Sequence, residues 1–258
     1  MDFLSSVLPA LFQVKILPPG DGPLYEVTLR WIHFLAGITW IGLLYFFNLV
    51  NVPFQKELEA GYKGKVVLAL MPRALWWFRW GAMMTVLAGF MYWMIIVAAD
   101  ARNAAVHGLS ASSMNSVLNF LGIWIGTWVL VMLLVTHGKG ALNKGPFLAV
   151  FVAALIFGAT MIYLKLNAHG WESSRMLSIG VGGGYGFIML FNVWGIIWRN
   201  QKKILAWTRA NVTDGTPVPE QSAKLARAAF LASRTNAWLS VPMLFFMASA
   251  SHYTFLVQ

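Results

Sequence analysis

Long uncharged apolar runs alternate with short polar stretches along the whole chain. Six runs, at 31–50, 80–99, 116–136, 146–164, 176–198 and 235–257, hold 19 to 23 residues each. A helix needs roughly 20 such residues to cross a bilayer. The strands of a membrane barrel would alternate apolar and polar positions, and these runs do not. The pattern predicts an all-α integral membrane protein, a six-transmembrane-helix bundle forming a single membrane domain over residues 1–258. Residues 1–23, opening "MDFLSSVLPALFQVKILPPG", lack the basic start and small-residue site of a signal peptide. Their apolar run is too short to span, so they read as a short interfacial helix. Pro72 marks the expected start of the helix carrying the second crossing. The loop 199–234 is expected to lie in the cytoplasm and to carry a surface helix. There Pro219 would sit in the first turn, with Leu225, Ala229 and Phe230 on one face.

Composition agrees with lipid as solvent. Apolar residues make up 59% of the chain and charged residues 11%, with a mean hydropathy of +0.65. The net charge of +10 sits in loops between the runs, which suits anionic lipid headgroups and argues against nucleic acid. With six crossings both termini share one side. That side holds five of the 19 Lys and Arg residues (Lys15, Arg30, Arg102, Lys165 and Arg175), and the other side holds fourteen. The richer side should be cytoplasmic. Both termini are then expected to face out, into the periplasm if the host is a Gram-negative bacterium, with a bacterial inner membrane as the expected location. The absence of cysteine removes disulfides, iron–sulfur clusters, thiolate metal sites and covalent c-type haem.

Ionisable groups inside a membrane are costly and mark candidate sites. Of five histidines, His107 and His169 fall in loops, while His33, His137 and His252 fall in or at the ends of crossings. His33 and His252 are expected near the outer face on the first and last crossings, and His137 on the inner side. Two imidazoles at one depth suit the axial positions of haem b, making His33 and His252 the candidate metal ligands. His33, Gly37, Trp40 and Leu44 recur at helical spacing as one stripe. Gly37 leaves room for a flat ring, Trp40 can wall it, and Arg30, one turn outward, can pair with a propionate. Val241, Phe245, Ala248 and His252 form a comparable stripe on the last crossing. The plainer reading of each histidine is an interfacial residue hydrogen-bonded to a neighbour. His137, in "VTHGKG", fits a helix end beside a Gly cap, and is otherwise the alternative cofactor-binding ligand.

Two further motifs stand out. In "MPRALWWFRWGAMM", Arg73 and Arg79 with Trp76, Trp77 and Trp80 read as an anchor belt, although Arg79 lies deep enough to pair with a buried group. In "SIGVGGGYGF", Gly180 and Gly184, like Gly182 and Gly186, have the spacing that lets helices touch closely. Packing is one role for them, and room for a cofactor the other. The 13 Trp and 18 Phe residues suit interface belts and the walls of a porphyrin site alike.

The run "RWIHFLAGITWIGLLYFFNLVNVPF", followed by "MPRALWWFRWGAM", resembles the membrane portion of the bacterial membrane-bound urate oxidase family. The likeness covers most of the chain and rests chiefly on Trp31, His33, Gly37, Trp40, Gly42, Asn48, Pro53, Pro72, Arg73, Trp76, Trp77, Arg79, Trp80 and Gly81. The H-x6-W pattern is also similar to that of bacterial membrane protoporphyrinogen oxidases and copper-resistance membrane proteins, which adds to the haem reading of His33. The family resemblance implies oxidation of urate to 5-hydroxyisourate, in purine catabolism, with electrons leaving through a fused C-terminal cytochrome c domain. This sequence stops at Gln258 without a cysteine, so the acceptor is expected to be a separate cytochrome c or other redox subunit. The competing expectation is a non-catalytic accessory subunit of a larger respiratory or photosynthetic membrane complex. A small-solute transporter is disfavoured by the few acids within the crossings and the lack of a clear inverted repeat.

Overall fold

A computed structural model of the protein describes residues 20–138, 140 and 145–256. Most of the expected N-terminal interfacial helix, residues 1–19, lies outside the described residues. The described chain is all helical, in the order α1 (Asp21–Tyr45), α2 (Val52–Glu57), α3 (Ala60–Val106), α4 (Ser113–His137), α5 (Gly145–Leu166), α6 (Ser174–Phe191), α7 (Arg199–Asp214) and α8 (Gln221–Ser249). Two π-helical segments, Phe46–Asn51 and Asn192–Trp198, join α1 to α2 and α6 to α7 without a break. Five continuous helices are long and apolar enough to cross a membrane: Asp21–Glu57, Ala60–Val106, Ser113–His137, Gly145–Leu166 and Ser174–Asp214. Their outer surfaces are apolar, with Ile38 72%, Val150 68% and Phe157 68% exposed. That is what lipid contact requires and water would penalise.

Three expectations change. The sixth crossing, 235–257, is helical only as far as Ser249, and its helix α8, 29 residues long, is less apolar than the five spans. It packs in the bundle as a sixth, more polar helix, with Ala232, Asn236 and Ser240 fully buried. The loop 199–234 is not a loop with a separate surface helix. Its first part, α7, continues α6 through a π-helical segment, and its last part is already α8. Only residues 215–220 connect them, entered through Gly215 at φ +69°. Pro72 does not start a helix either, because α3 begins at Ala60 and runs through it. The proline forfeits one backbone hydrogen bond there, and the 47-residue helix carries on around the gap.

Residues without a Cβ bring the helices together. Gly81 of α3 faces the α1 backbone, where a methyl group built on it would lie 3.3 Å from Ala36 O. On α6 the glycines divide by face. Gly180 and Gly184 receive the Tyr163 and Trp124 rings of α5 and α4, and Gly182 receives Phe246 and Met247 of α8. Both small-x-x-x-small pairs therefore serve close packing.

Several of the polar groups that remain inside bond to one another. Asn48, in the first π-helical segment, donates through Nδ2 to Leu44 O and to Ser233 Oγ, each at 2.9 Å. Asn192, opening the second segment, donates to Asn236 Oδ1 at 2.8 Å, and Asn236 donates in turn to Met189 O at 2.9 Å. Tyr45 OH and Ser240 Oγ lie 2.9 Å apart. Ser233, Asn236 and Ser240 thus form a polar stripe on α8, which explains why that helix is less apolar than the five spans.

Candidate functional site

A cavity of about 500 Å³ lies between α1, α3, α6 and α8, with Phe120 of α4 behind it. Its volume is within the range of small-molecule and cofactor sites. His33 enters from α1. Its Nδ1 is 2.8 Å from the carbonyl oxygen of Thr85 on α3. A carbonyl oxygen only accepts, so Nδ1 carries the proton and Nε2 is left as the ring's acceptor nitrogen. Metal-ligating histidines are held in this way, one ring N–H on a backbone carbonyl and the other nitrogen on the metal. Gly89 completes the seat: a methyl group built there would stand 2.6 Å from Nδ1 and 2.7 Å from Cε1.

The rest of the lining is mostly aromatic and aliphatic. Trp40 is 1% exposed and its buried Nε1–H has no partner in the protein. Trp124, Trp128 and Trp194 share this state, but of the four only Trp40 lines the cavity, where its donor is available to a ligand. Phe90, Trp93, Phe120 and Phe187 pack on one another at centroid distances of 4.7 to 5.9 Å and form the inner wall. Trp93 is fixed by its Nε1–H bond to Met176 O, 3.0 Å. At the end of the cavity nearest Asp21, two cations meet one ring. The guanidinium carbons of Arg30 and Arg175 lie 5.8 and 5.5 Å from the Tyr92 ring centre, and Arg175 also donates to Tyr92 OH. Arg175 Nε is buried and unpaired. Two guanidinium groups with spare donors at the mouth of an apolar cavity suit carboxylates.

The expected residues divide into those that meet here and those that do not. Arg30, His33, Gly37 and Trp40 all line the cavity. His252 is exposed in the turn beyond α8, its backbone N–H on Ser249 O, and the lining ends at its neighbour Ser251. The stripe assigned to it faces away: Val241 is 60% and Phe245 58% exposed. The α8 face that meets the cavity carries Met243 and Met247 instead. His137 ends α4 at the opposite end of the bundle, exposed, with Nδ1 2.7 Å from Thr136 Oγ1. His169 pairs with buried Glu172 at 2.6 Å, and His107 Nδ1 bonds Asn103 O. Arg79 lies against Trp198, 3.7 Å from the ring centre, and serves the anchor-like aromatic cluster with Trp194.

Among the described residues no three His, Asp or Glu side chains converge as metal ligands. A porphyrin iron brings four nitrogens of its own and asks the protein for only one or two, which a lone oriented histidine can supply. The oriented Nε2, the unpaired indole donor and the paired arginines fit that group.

The family model described as urate oxidase N-terminal matches residues 23–258. The chain belongs to the urate oxidase N-terminal family. Comparison with curated proteins and with solved structures returned no match. The matched span contains every residue of the cavity lining, from Arg30 to Ser251, so the site lies within what this chain has in common with the family.

Sequence reasoning missed Tyr92, Arg175, Thr85, Gly89 and the two methionines. Arg175 counted only as a charge at a helix end, and Tyr92 only as one aromatic among many. Thr85 acts through its backbone carbonyl, which no side-chain pattern reveals. Gly89, seven residues before Ile96 in an unbroken apolar run, carries no local mark of a close approach.

Proposed function

We propose that this urate oxidase-related protein binds haem b in the cavity and works as a membrane redox protein. In this reading it takes electrons from a reduced substrate, urate by family, and passes them to a separate cytochrome c. The observation that supports the reading is the His33 Nδ1–H bond to Thr85 O, which leaves Nε2 available as a ligand beside a cavity of suitable size. His33 would ligate the iron, Arg30 and Arg175 would hold the propionates, and Trp40 with Phe90 and Phe187 would wall the ring. Bound haem would supply a one-electron carrier. The protein's part is to orient one imidazole, to neutralise two carboxylates at the cavity mouth and to keep water from the ring.

The membrane would be a bacterial inner membrane, with the His33 end of the bundle on the periplasmic side, where a soluble cytochrome c could dock. The test is an absorption spectrum and haem stain of the protein purified in detergent. A dithionite-reduced b-type band is expected in the wild type and is expected to vanish in His33→Ala. A colourless, folded wild type would favour the accessory-subunit reading instead.

A further inference from the structure

We infer that the thioether of Met247 is the second axial ligand, facing His33 across the cavity. The inference rests on the haem reading above and adds a ligand that histidine counting cannot find. It follows from the helix register.

His33 sits against Gly89 on α3. Helices α3 and α6 run antiparallel: Val86 lies against Gly186, and Trp93 bonds Met176 O. Moving outward from the first pair, the residues of α6 level with Gly89 are Gly182 and Gly183. The Met247 methyl carbon lies 3.2 Å from a Cβ built at Gly182 and 3.9 Å from one built at Gly183. Met247 therefore stands at the depth of His33, on the α6–α8 side of the cavity, while His33 stands on the α1–α3 side. Met243 also lines the cavity, but its sulfur is 3.9 Å from a Cβ built at Gly186. That places it at the level of Val86 and the Thr85 backbone, up to one turn deeper than Gly89, toward which the Thr85 carbonyl that holds His33 points.

The chemistry is consistent. A thioether is a soft, uncharged ligand that enters an apolar site without a desolvation penalty, and His–Met pairs are an established way to hold a low-spin haem at raised potential. Met has three rotatable bonds, so its sulfur can close on an iron with little backbone movement. Of the α8 side chains that reach the cavity, Met243, Leu244 and Met247, only the methionines offer a ligand atom. His252 lies beyond the end of the lining.

The test uses the full chain purified in detergent with its haem, comparing wild type with Met247→Leu, Met247→His, Met243→Leu and His252→Ala. Leu preserves the volume of Met, so folding is expected to survive. The expected result is a weak far-red charge-transfer band, typical of thioether-bound ferric haem, in wild type, Met243→Leu and His252→Ala. It should be lost in Met247→Leu. Met247→His should keep a low-spin spectrum and titrate at a lower midpoint potential. A haem-loaded wild type whose spectrum and potential ignore Met247 but change in His252→Ala or Met243→Leu overturns the assignment and leaves the haem site standing. A wild type that carries no haem overturns both.

Discussion

At the scale of single residues, the site depends on groups that act without side-chain chemistry of their own. The Thr85 carbonyl fixes the His33 tautomer, so Thr85→Val should leave the imidazole in place. The methyl of Gly89→Ala would fall 2.6 Å from Nδ1 and force the ring off that carbonyl. The substitution is expected to cost about 1–3 kcal/mol, the usual range for overpacking, and to remove the haem band that the proposed function predicts for the wild type. Melting in detergent and a reduced-minus-oxidised spectrum check both, with Thr85→Val as the benign control. His33 was legible in the sequence because an ionisable group in an apolar run is conspicuous. Its carbonyl partner and its glycine seat were not, because each is defined by a neighbour 52 or 56 positions away.

At the scale of elements, the two π-helical segments and α8 belong together. Each segment follows a carbonyl served by an asparagine amide, Leu44 O by Asn48 and Met189 O by Asn236, and the polar stripe of α8 supports both. Replacing Asn236 by Leu strands the Asn192 amide and removes one of the two donors to Met189 O. The expected loss is about 1–3 kcal/mol, read as a lowered unfolding midpoint in detergent. Ser240→Ala, which removes one hydroxyl that faces Tyr45 OH and donates to Ala237 O within its own helix, should cost less. The sequence shows five of the spans clearly, because their apolar runs are long and uninterrupted. It is less plain at α8, where the apolar run extends to Val257 but the helix ends at Ser249 and carries a buried polar stripe. Composition carries no register, so the α8 face turned toward the cavity could not be chosen between the His252 stripe and the methionines. The extension of α3 back to Ala60 was equally hidden, because a proline inside a helix looks in sequence like its beginning.

For the whole molecule, helix length and charge make a joint statement. The α3 helix is roughly 70 Å long at 1.5 Å per residue, more than twice the ~30 Å of a hydrocarbon core. The surplus at the Arg79 end packs with α7, where a methyl built at Gly64 would stand 2.6 Å from Val212. Basic residues crowd this end, so it is expected to face the cytoplasm. The chain's lack of cysteine makes the check direct. In intact cells, Ser112→Cys should react with an impermeant maleimide, and Thr213→Cys should react only after permeabilisation. The opposite pattern would invert the orientation.

The cavity also has a boundary that the polypeptide does not supply. Phe34, Ile38 and Gly42 on α1 and Leu244 on α8 line it and are at the same time exposed on the bundle's apolar flank. In a bilayer acyl chains seal that slot, and in a micelle detergent tails do. An amphiphile at that slot would close the site on its open side. The same preparation moved from short-chain detergent into a lipid nanodisc should change its ligand retention while its helix content stays constant.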